Sequence, residues 1–416
     1  MDVLKDSKMW ASASDLDPDF GLEKGYFFPE PRLPSVRRDI RAVVLNSDES
    51  LNLASASEGG AYQFSRASAN GFPLANFQPT SAEFAPGGTS IPTRLLLQPD
   101  GKIIMIGTFT NKADDILRRV SRPAITRFNA NGTPDLVFGR HVLTHAPEGA
   151  TEPQIPKKLA DGCLQPDGKI LIANAYQLPH PNSSNFVSKL TRLNSDGSLD
   201  LSFGNSNNGS IDLVFDGATT FATNVQVQRD GKIIVGGAVI IDGHYQLTLA
   251  RYTYDGSPDL TFGENGYARY IQLDPKHNTV LNQLVVRQDK LLCAGFTTGP
   301  ERSALLMRFD ADGHVDPQFN DGKPVLTHDG FNNLQWACAS VQTSGNIIVL
   351  GNAQTNNGKE FTVKRFLDNG RPDLSHTWLT KPLTCSDIAI QTSGRLIVTA
   401  VNRSDYALVL GLLNEA

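Results

Sequence analysis

The sequence lacks the marks of several protein classes. Nowhere does it carry the roughly 18 consecutive apolar residues of a membrane-spanning helix, so no span is expected. Its first residues, MDVLKDSKMWASASDLD, hold no apolar stretch behind their basic ones, which predicts no Sec leader; residence in the cytoplasm and export by a non-Sec route both stay open. Charge is sparse at 19%, and 38 basic against 43 acidic residues leave a formal net charge of -5. Such a balance offers no general attraction to nucleic acid or to an anionic membrane surface. Cysteine is scarce too. Cys163, Cys293, Cys338 and Cys385 show neither CxxC nor CxH spacing, which removes the usual zinc and thioredoxin-like patterns. Each falls in an apolar run that reads as strand, so buried free thiols are expected. No GxSxG, HExxH or Ser-His-Asp arrangement occurs in recognisable context. No catalytic residue and no metal ligand are therefore assigned, and no cofactor is implied.

What is present is a large apolar fraction, 40%, and a repeat. The chain is globular by composition. QPDGK occurs at 98–102 and 165–169 and QRDGK at 228–232, each followed by an apolar run, IIMIG, ILIAN or IIVGG. Weaker copies are NSDESLNLA (46–54), RQDKLLCAG (287–295), QTSGNIIVLG (342–351) and QTSGRLIVTA (391–400), giving seven starts, at 46, 98, 165, 228, 287, 342 and 391. A second unit follows downstream: RFNANGTPDLVFG (127–139), RLNSDGSLDLSFG (192–204), RYTYDGSPDLTFG (251–263), RFDADGHVDPQFN (308–320) and RFLDNGRPDLSHT (365–377), with SANGFPLANF (68–77) as a degenerate first copy.

The seventh copy stops at LVLGLLNEA before any such loop, and DLDPDFG at 15–21 supplies the missing element from the other end of the chain. A ring closed by its own termini accounts for this, because radial repetition leaves only short, protected strand edges. The expected fold is all-β: a seven-bladed β-propeller of four-stranded blades, one domain over 1–416. Residues about 15–30 complete the last blade, begun at about 385–416. Val-, Ile- and Leu-rich runs fit strands sandwiched on both faces, and ADDILRRV (113–120) is the best candidate for a short helix.

At these residues the chain resembles the delta-60 repeat, the DUF5122 propeller family of bacterial proteins, over essentially its whole length. The resemblance implies the scaffold and almost nothing about activity.

The recurring acids suggest calcium, and DADGHVD (310–316) resembles the start of an oxygen-ligand loop. It lacks the bidentate Glu beyond it, however. Asp135, Asp200, Asp259, Asp316 and Asp373 read instead as Asx residues satisfying loop N–H groups, with Phe138, Phe203, Phe262 and Phe319 as buried plugs. A feature present in every blade reads as fold, so function is sought where blades differ. That is the face of second-to-third and fourth-to-next-first strand connections: 110–123, 145–158, 176–185, 241–246, 273–279 and 297–303. Candidate binding residues there are Arg118, Arg119 and Arg122, which with Lys157 and Lys158 form a basic rim suited to an acidic ligand or a phosphate. Tyr176 and Tyr245, with Trp336 and Trp378, offer ring faces for a sugar, against a core-packing alternative. His180, His244 and His277 fall on different loops that converge over the channel if the ring closes. His141 and His145 do not make a metal pair, because four residues along a strand span about 13 Å.

The leading expectation is a non-catalytic binding or scaffolding module, a monomer presenting variable loops to a protein or glycan partner. The alternative is a hydrolase or lactonase-like enzyme with a site at the axial mouth, whose residues, drawn from several blades, would leave no linear motif. A lectin-like propeller is the third reading, weakened by the absence of a recurring Trp or Tyr. Convergence of ionisable side chains from three or more blades at the channel separates the first two.

Overall fold

The computed structural model describes residues 16–22, 25–29, 38–112, 119–150, 160–178, 185–269, 277–298, 302–328, 332–355, 358–381, 383–402 and 407–413. They form seven four-stranded antiparallel sheets. In blade 4, for example, the strands run Thr219–Val227, Ile233–Ile241, His244–Tyr252 and Tyr267–Arg269 in simple succession. Blades 1, 2, 3, 5 and 6 begin with first strands Arg38–Leu45, Gly88–Leu97, Ala160–Leu164, Asn278–Arg287 and Asn332–Val341 and follow the same order. Blade 7 breaks the order as the sequence anticipates. Its strands Leu383–Ile390, Leu396–Asn402 and Ala407–Leu412 are joined by Tyr26–Phe27 from the other end of the chain, with Tyr26 opposite Leu410 and Phe27 opposite Val409. The only helical turn among the described residues is Asn320–Gly322. The helix expected at 113–120 falls mostly on residues outside the described ones. No helix of the described residues is long and apolar enough to cross a membrane.

Physical causes are plain in the strands. The second strand of blade 2, Ile103–Asn111, is buried at every residue but its last, and that of blade 4 is buried from Ile233 to Val239. A strand covered on both faces has no polar side to present, so its sequence is a continuous apolar run rather than an alternation. Seven apolar clusters fill the seven gaps between neighbouring blades. Leu171 and Ala173 of blade 3 meet Val235 and Ala250 of blade 4, and Phe20 and Val409 of blade 7 meet Leu51 and Leu53 of blade 1. All four cysteines are buried and free.

The first strands touch one another in sequence around the whole ring, which places them innermost, about the axis. Six of them carry a bulge at the same point, such as that between Ala222 and Asn224. In blades 2, 3 and 4 the turn leaving the first strand is the Asp-Gly hairpin. In blade 4, Lys232 O accepts from Gln228 N, Gln228 O accepts from Gly231 N, and Gly231 stands at φ 85°. Lys102 of such a turn reaches Asp135 of the loop between third and fourth strands, so those two connections share one face. The variable connections lie on the other.

Candidate functional site

The constant face is an interlock. Asp200 Oδ1 accepts from Ser202 N at 3.1 Å, and Asp135 Oδ1 accepts from Val137 N and Phe138 N. The Asx reading of these aspartates therefore holds. Their other oxygen does more. Asp200 Oδ2 takes Arg192 Nε at 2.7 Å and Lys169 Nζ at 2.9 Å; Asp135, Asp259 and Asp316 take Arg127 and Lys102, Arg251 and Lys232, and Arg308 and Lys290 in the same way. Burial alone would raise the Asp135 pKa, but hydrogen bonds from Lys102, Phe138 N–H and Arg127 outweigh it and bring it to about 2. Asp200, Asp259 and Asp316 are likewise held below the usual carboxylate range against their burial.

Each arginine then turns outward. Arg127 Nη1 donates to Ser195 O of the next blade at 2.7 Å, Arg251 to Ala311 O at 2.9 Å and Arg192 to Tyr254 O. The guanidinium lies over the plug phenylalanine, Arg192 at 4.5 Å from the Phe203 centroid, and that ring abuts Gly256 of the next blade. At the seam between blades 7 and 1 the parts are recast: Asp17 pairs with Arg395, which comes from the hairpin turn, and Phe20 abuts Gly71. In DADGHVD, Asp316 is committed to Arg308 and Lys290, Asp312 to Arg251, and Asp310 Oδ1 to Asp312 N and His314 N.

On the variable face, Arg118 and His180 lie outside the described residues. Arg119 and Arg122 are half-buried at the entry to the third strand of blade 2, Ser121–Phe128. Tyr176 is 1% exposed, and burial pushes its hydroxyl up to about 12, so its ring offers no face to solvent. Tyr245 is half-buried against Ala175, Phe186 and Phe221. Its N–H donates to Asn278 Oδ1 at 2.7 Å, which brings His244 and His277, the residues before each, to neighbouring positions between blades 4 and 5. The Nδ1 of His244 is buried without a hydrogen-bond partner. Trp336 is fully buried core.

A third place went unnoticed in the sequence. At the register just past the first-strand bulge, blades 2 and 7 carry Arg94 and Asp387, and blade 3, whose first strand is regular, carries Asp161. Arg94 Nε stands 3.9 Å from Asp161 Oδ1. Burial lowers the Arg94 pKa, but attraction from Asp161 and Asp387, then Cys163 and Cys338, reverses the shift and holds it above its ordinary value. A side chain that feels blades 3, 6 and 7 at once lies at the axis. Among the described residues no three His, Cys, Asp or Glu are grouped to hold a metal.

A family model, the domain of unknown function (DUF5122) beta-propeller, matches residues 98–138, 165–203 and 228–262. Three of the blades thus match the DUF5122 repeat. Each match starts at the Gln of the hairpin turn and ends at the plug Phe, so the matched stretches carry the residues that each blade contributes to the interlock just described. No curated protein sequence matches the chain. Among solved structures, Sqt1 of Chaetomium thermophilum is similar over 95% of this chain and 98% of its own, at 12% identity and TM-score 0.51. An ulvan lyase of polysaccharide lyase family PL25 covers 97% and 94% at 11% identity, TM-score 0.46. A gluconolactonase of Xanthomonas campestris covers 79% and 99% at 14% identity, TM-score 0.34. At such identities the likeness speaks for the fold alone.

Proposed function

We propose that the protein is a non-catalytic binding module, a rigid disc whose variable face receives a protein or glycan partner. The observation that carries this reading is the division of labour between the faces. The ionisable residues that recur from blade to blade are spent on holding neighbours together, while Arg119, Arg122, His244, Tyr245 and His277 stand at or beside connections whose length and sequence differ between blades. Loops on a rigid scaffold are where recognition concentrates. Arg118 and His180 belong to the same proposed surface by their place in the sequence.

The enzyme reading is favoured by one observation, the approach of Arg94, Asp161 and Asp387 at the axis. Against it, Asp387 Oδ2 accepts from Val43 N at 3.1 Å and Oδ1 from Ile388 N at 3.0 Å. A carboxylate so engaged is placed to bind the backbone, not to take a proton from a substrate. The test is to screen the immobilised protein against a glycan array and a displayed peptide library, beside a variant in which 113–118 is replaced by a short Gly-Ser linker. Retention of one ligand class that the variant loses supports the module. Hydrolysis of lactones or p-nitrophenyl esters that Asp161→Asn and Asp387→Asn both abolish would establish the enzyme instead.

A further inference from the structure

The turns of the constant face carry more than the interlock needs. Asp135 Oδ1 gathers the N–H groups of Val137 and Phe138, and the turn this makes buries Asp135 and Phe138 while pushing the two residues between them outward. Leu136 is 88% and Val137 96% exposed there; at the same place in blades 3 and 4, Leu201 is 56% and Leu260 69% exposed. The turn does not require leucine: blade 5 makes it with Pro317 and Gln318, and blade 7 with Pro18 and Asp19. The three leucine-bearing loops are joined end to end, since Gly197 of blade 3 abuts the Phe138 ring and Gly256 of blade 4 the Phe203 ring. Tyr254, also exposed, stands between blades 3 and 4 with its hydroxyl on Asp167 Oδ2. Single exposed leucines are ordinary, but a row of them along adjoining loops marks a surface that a partner covers.

Charge selects the partner. The lysine and arginine that each of these blades brings to the face are drawn onto its buried aspartate, Asp135, Asp200 or Asp259, at between 2.7 and 3.1 Å. What remains at the surface is acidic. Asp100, Asp196 and Asp255 are exposed, spend Oδ1 on the N–H groups of Lys102, Ser198 and Ser257, and have no cation within ion-pair distance among the described residues. Asp167 and Asp230, exposed as well, are left with lysines at 4.0 and 3.8 Å that the buried aspartates already hold. The hydroxyls of Ser198 and Thr253 hold Asp196 and Asp255 below the usual carboxylate range, so both are charged at neutral pH. Against these carboxylates Arg229 is the one exposed cation of the same turns among the described residues, because Arg140 turns away to Glu83 O. A second copy docked face to face would bring like charges together, and an anionic lipid surface is repelled in the same way.

We propose that the arc of Leu136, Val137, Leu201 and Leu260 docks a cationic amphipathic segment of a partner protein, its apolar side chains laid on the leucines and its lysines or arginines on Asp100, Asp167, Asp196, Asp230 and Asp255. The arc lies on the face opposite the variable loops and stands or falls independently of them.

Fluorescence anisotropy of the full chain with a labelled Leu–Lys amphipathic peptide of about 18 residues, its Leu–Glu counterpart and oligolysine tests it. The Leu–Lys peptide binds saturably and more weakly as salt rises, oligolysine binds at least about tenfold more weakly, and the Leu–Glu peptide does not bind. Leu136→Ser, Val137→Ser, Leu201→Ser and Leu260→Ser together weaken the Leu–Lys peptide by about tenfold or more with thermal stability unchanged, because all four side chains lie mostly in solvent. Asp100→Asn, Asp196→Asn and Asp255→Asn together, which keep the caps on the turn amides, weaken it and flatten its salt dependence. Replacement of 113–118 by a Gly-Ser linker leaves it unchanged. No saturable binding, equal binding of the Leu–Glu peptide or of oligolysine, binding that the four serines do not weaken, or binding lost with 113–118 overturns the proposal, as does a dimer that the four serines dissolve.

Discussion

Asp135, Asp200, Asp259 and Asp316 each bind loop amides with one oxygen and an arginine and a lysine with the other, so ionisation of these four side chains is part of the fold. A carboxyl whose pKa is depressed by folding contributes stability above its unfolded value, about 3.9, and loses it as pH falls through the folded value. For Asp135 that window runs from about 4 to about 2. Guanidinium denaturation at a series of pH values is expected to show stability falling as pH drops through this window. Asp135→Asn is less stable at pH 7 and shows a shallower fall; an unchanged slope would mean that the pair does not exist in solution. The aspartates were legible in the sequence because they repeat, and so was their service to loop amides. Their arginines were not read, although the signal is there: Arg127, Arg192, Arg251, Arg308 and Arg365 each precede their aspartate by eight residues. Arg94, Asp161 and Asp387 gave no such signal. They stand at a position whose identity differs between blades, and only closure of the ring brings blades 2, 3 and 7 together.

Among the elements, the hairpin turn and the third-to-fourth loop both carry glycine, for reasons that separate experimentally. Gly231 has φ 85° and open space where a Cβ would lie. Gly256 has φ 92°, and its Cβ would come within 2.8 Å of the Phe203 ring from the preceding blade. Gly231→Ala is expected to cost only the left-handed backbone penalty, about 1–2 kcal/mol. Gly256→Ala adds overpacking, about 1–3 kcal/mol more. Equal shifts in denaturation midpoint would contradict the plug. The fifth hairpin, read in the sequence as a weaker copy, is a different turn: Arg287 pairs with Lys290, and Gln288 and Asp289 between them stand at φ 47° and 60°. A two-residue turn with both φ positive prefers Asn-Gly. Gln288→Asn with Asp289→Gly should therefore stabilise the protein, by about 1 kcal/mol, seen as a raised midpoint at constant slope. Loss of the missing residue, rather than decay of the motif, explains why RQDK looked irregular beside QPDGK.

For the whole molecule, everything that holds one blade to the next must also hold the last to the first, and there part of blade 7 comes from the opposite end of the chain. Gly411 N donates to Gly25 O and Asp17 N to Gly411 O, both at 2.9 Å, while Phe20 is sealed between Gly411 and Gly71 of blade 1. Gln391 Nε2 and Arg395 Nη1 reach Ala69 O across the same seam, and Asp387 reaches Val43 N nearer the axis. A plug removed within the ring leaves its blade continuous; at the seam it loosens a strand that no short loop ties to its neighbour. Phe20→Ala and Phe203→Ala should each cost about 3–5 kcal/mol, with different local consequences. In Phe20→Ala, the amide of Gly411 is expected to exchange with solvent far faster than amides of blade 4, because the segment carrying Tyr26 and Phe27 leaves Ala407–Leu412 as an open edge. Phe203→Ala leaves Gly411 protected. Equal protection in the two variants would mean that the ring is held shut by its axial strands, and that the borrowed strand is a cover rather than a clasp.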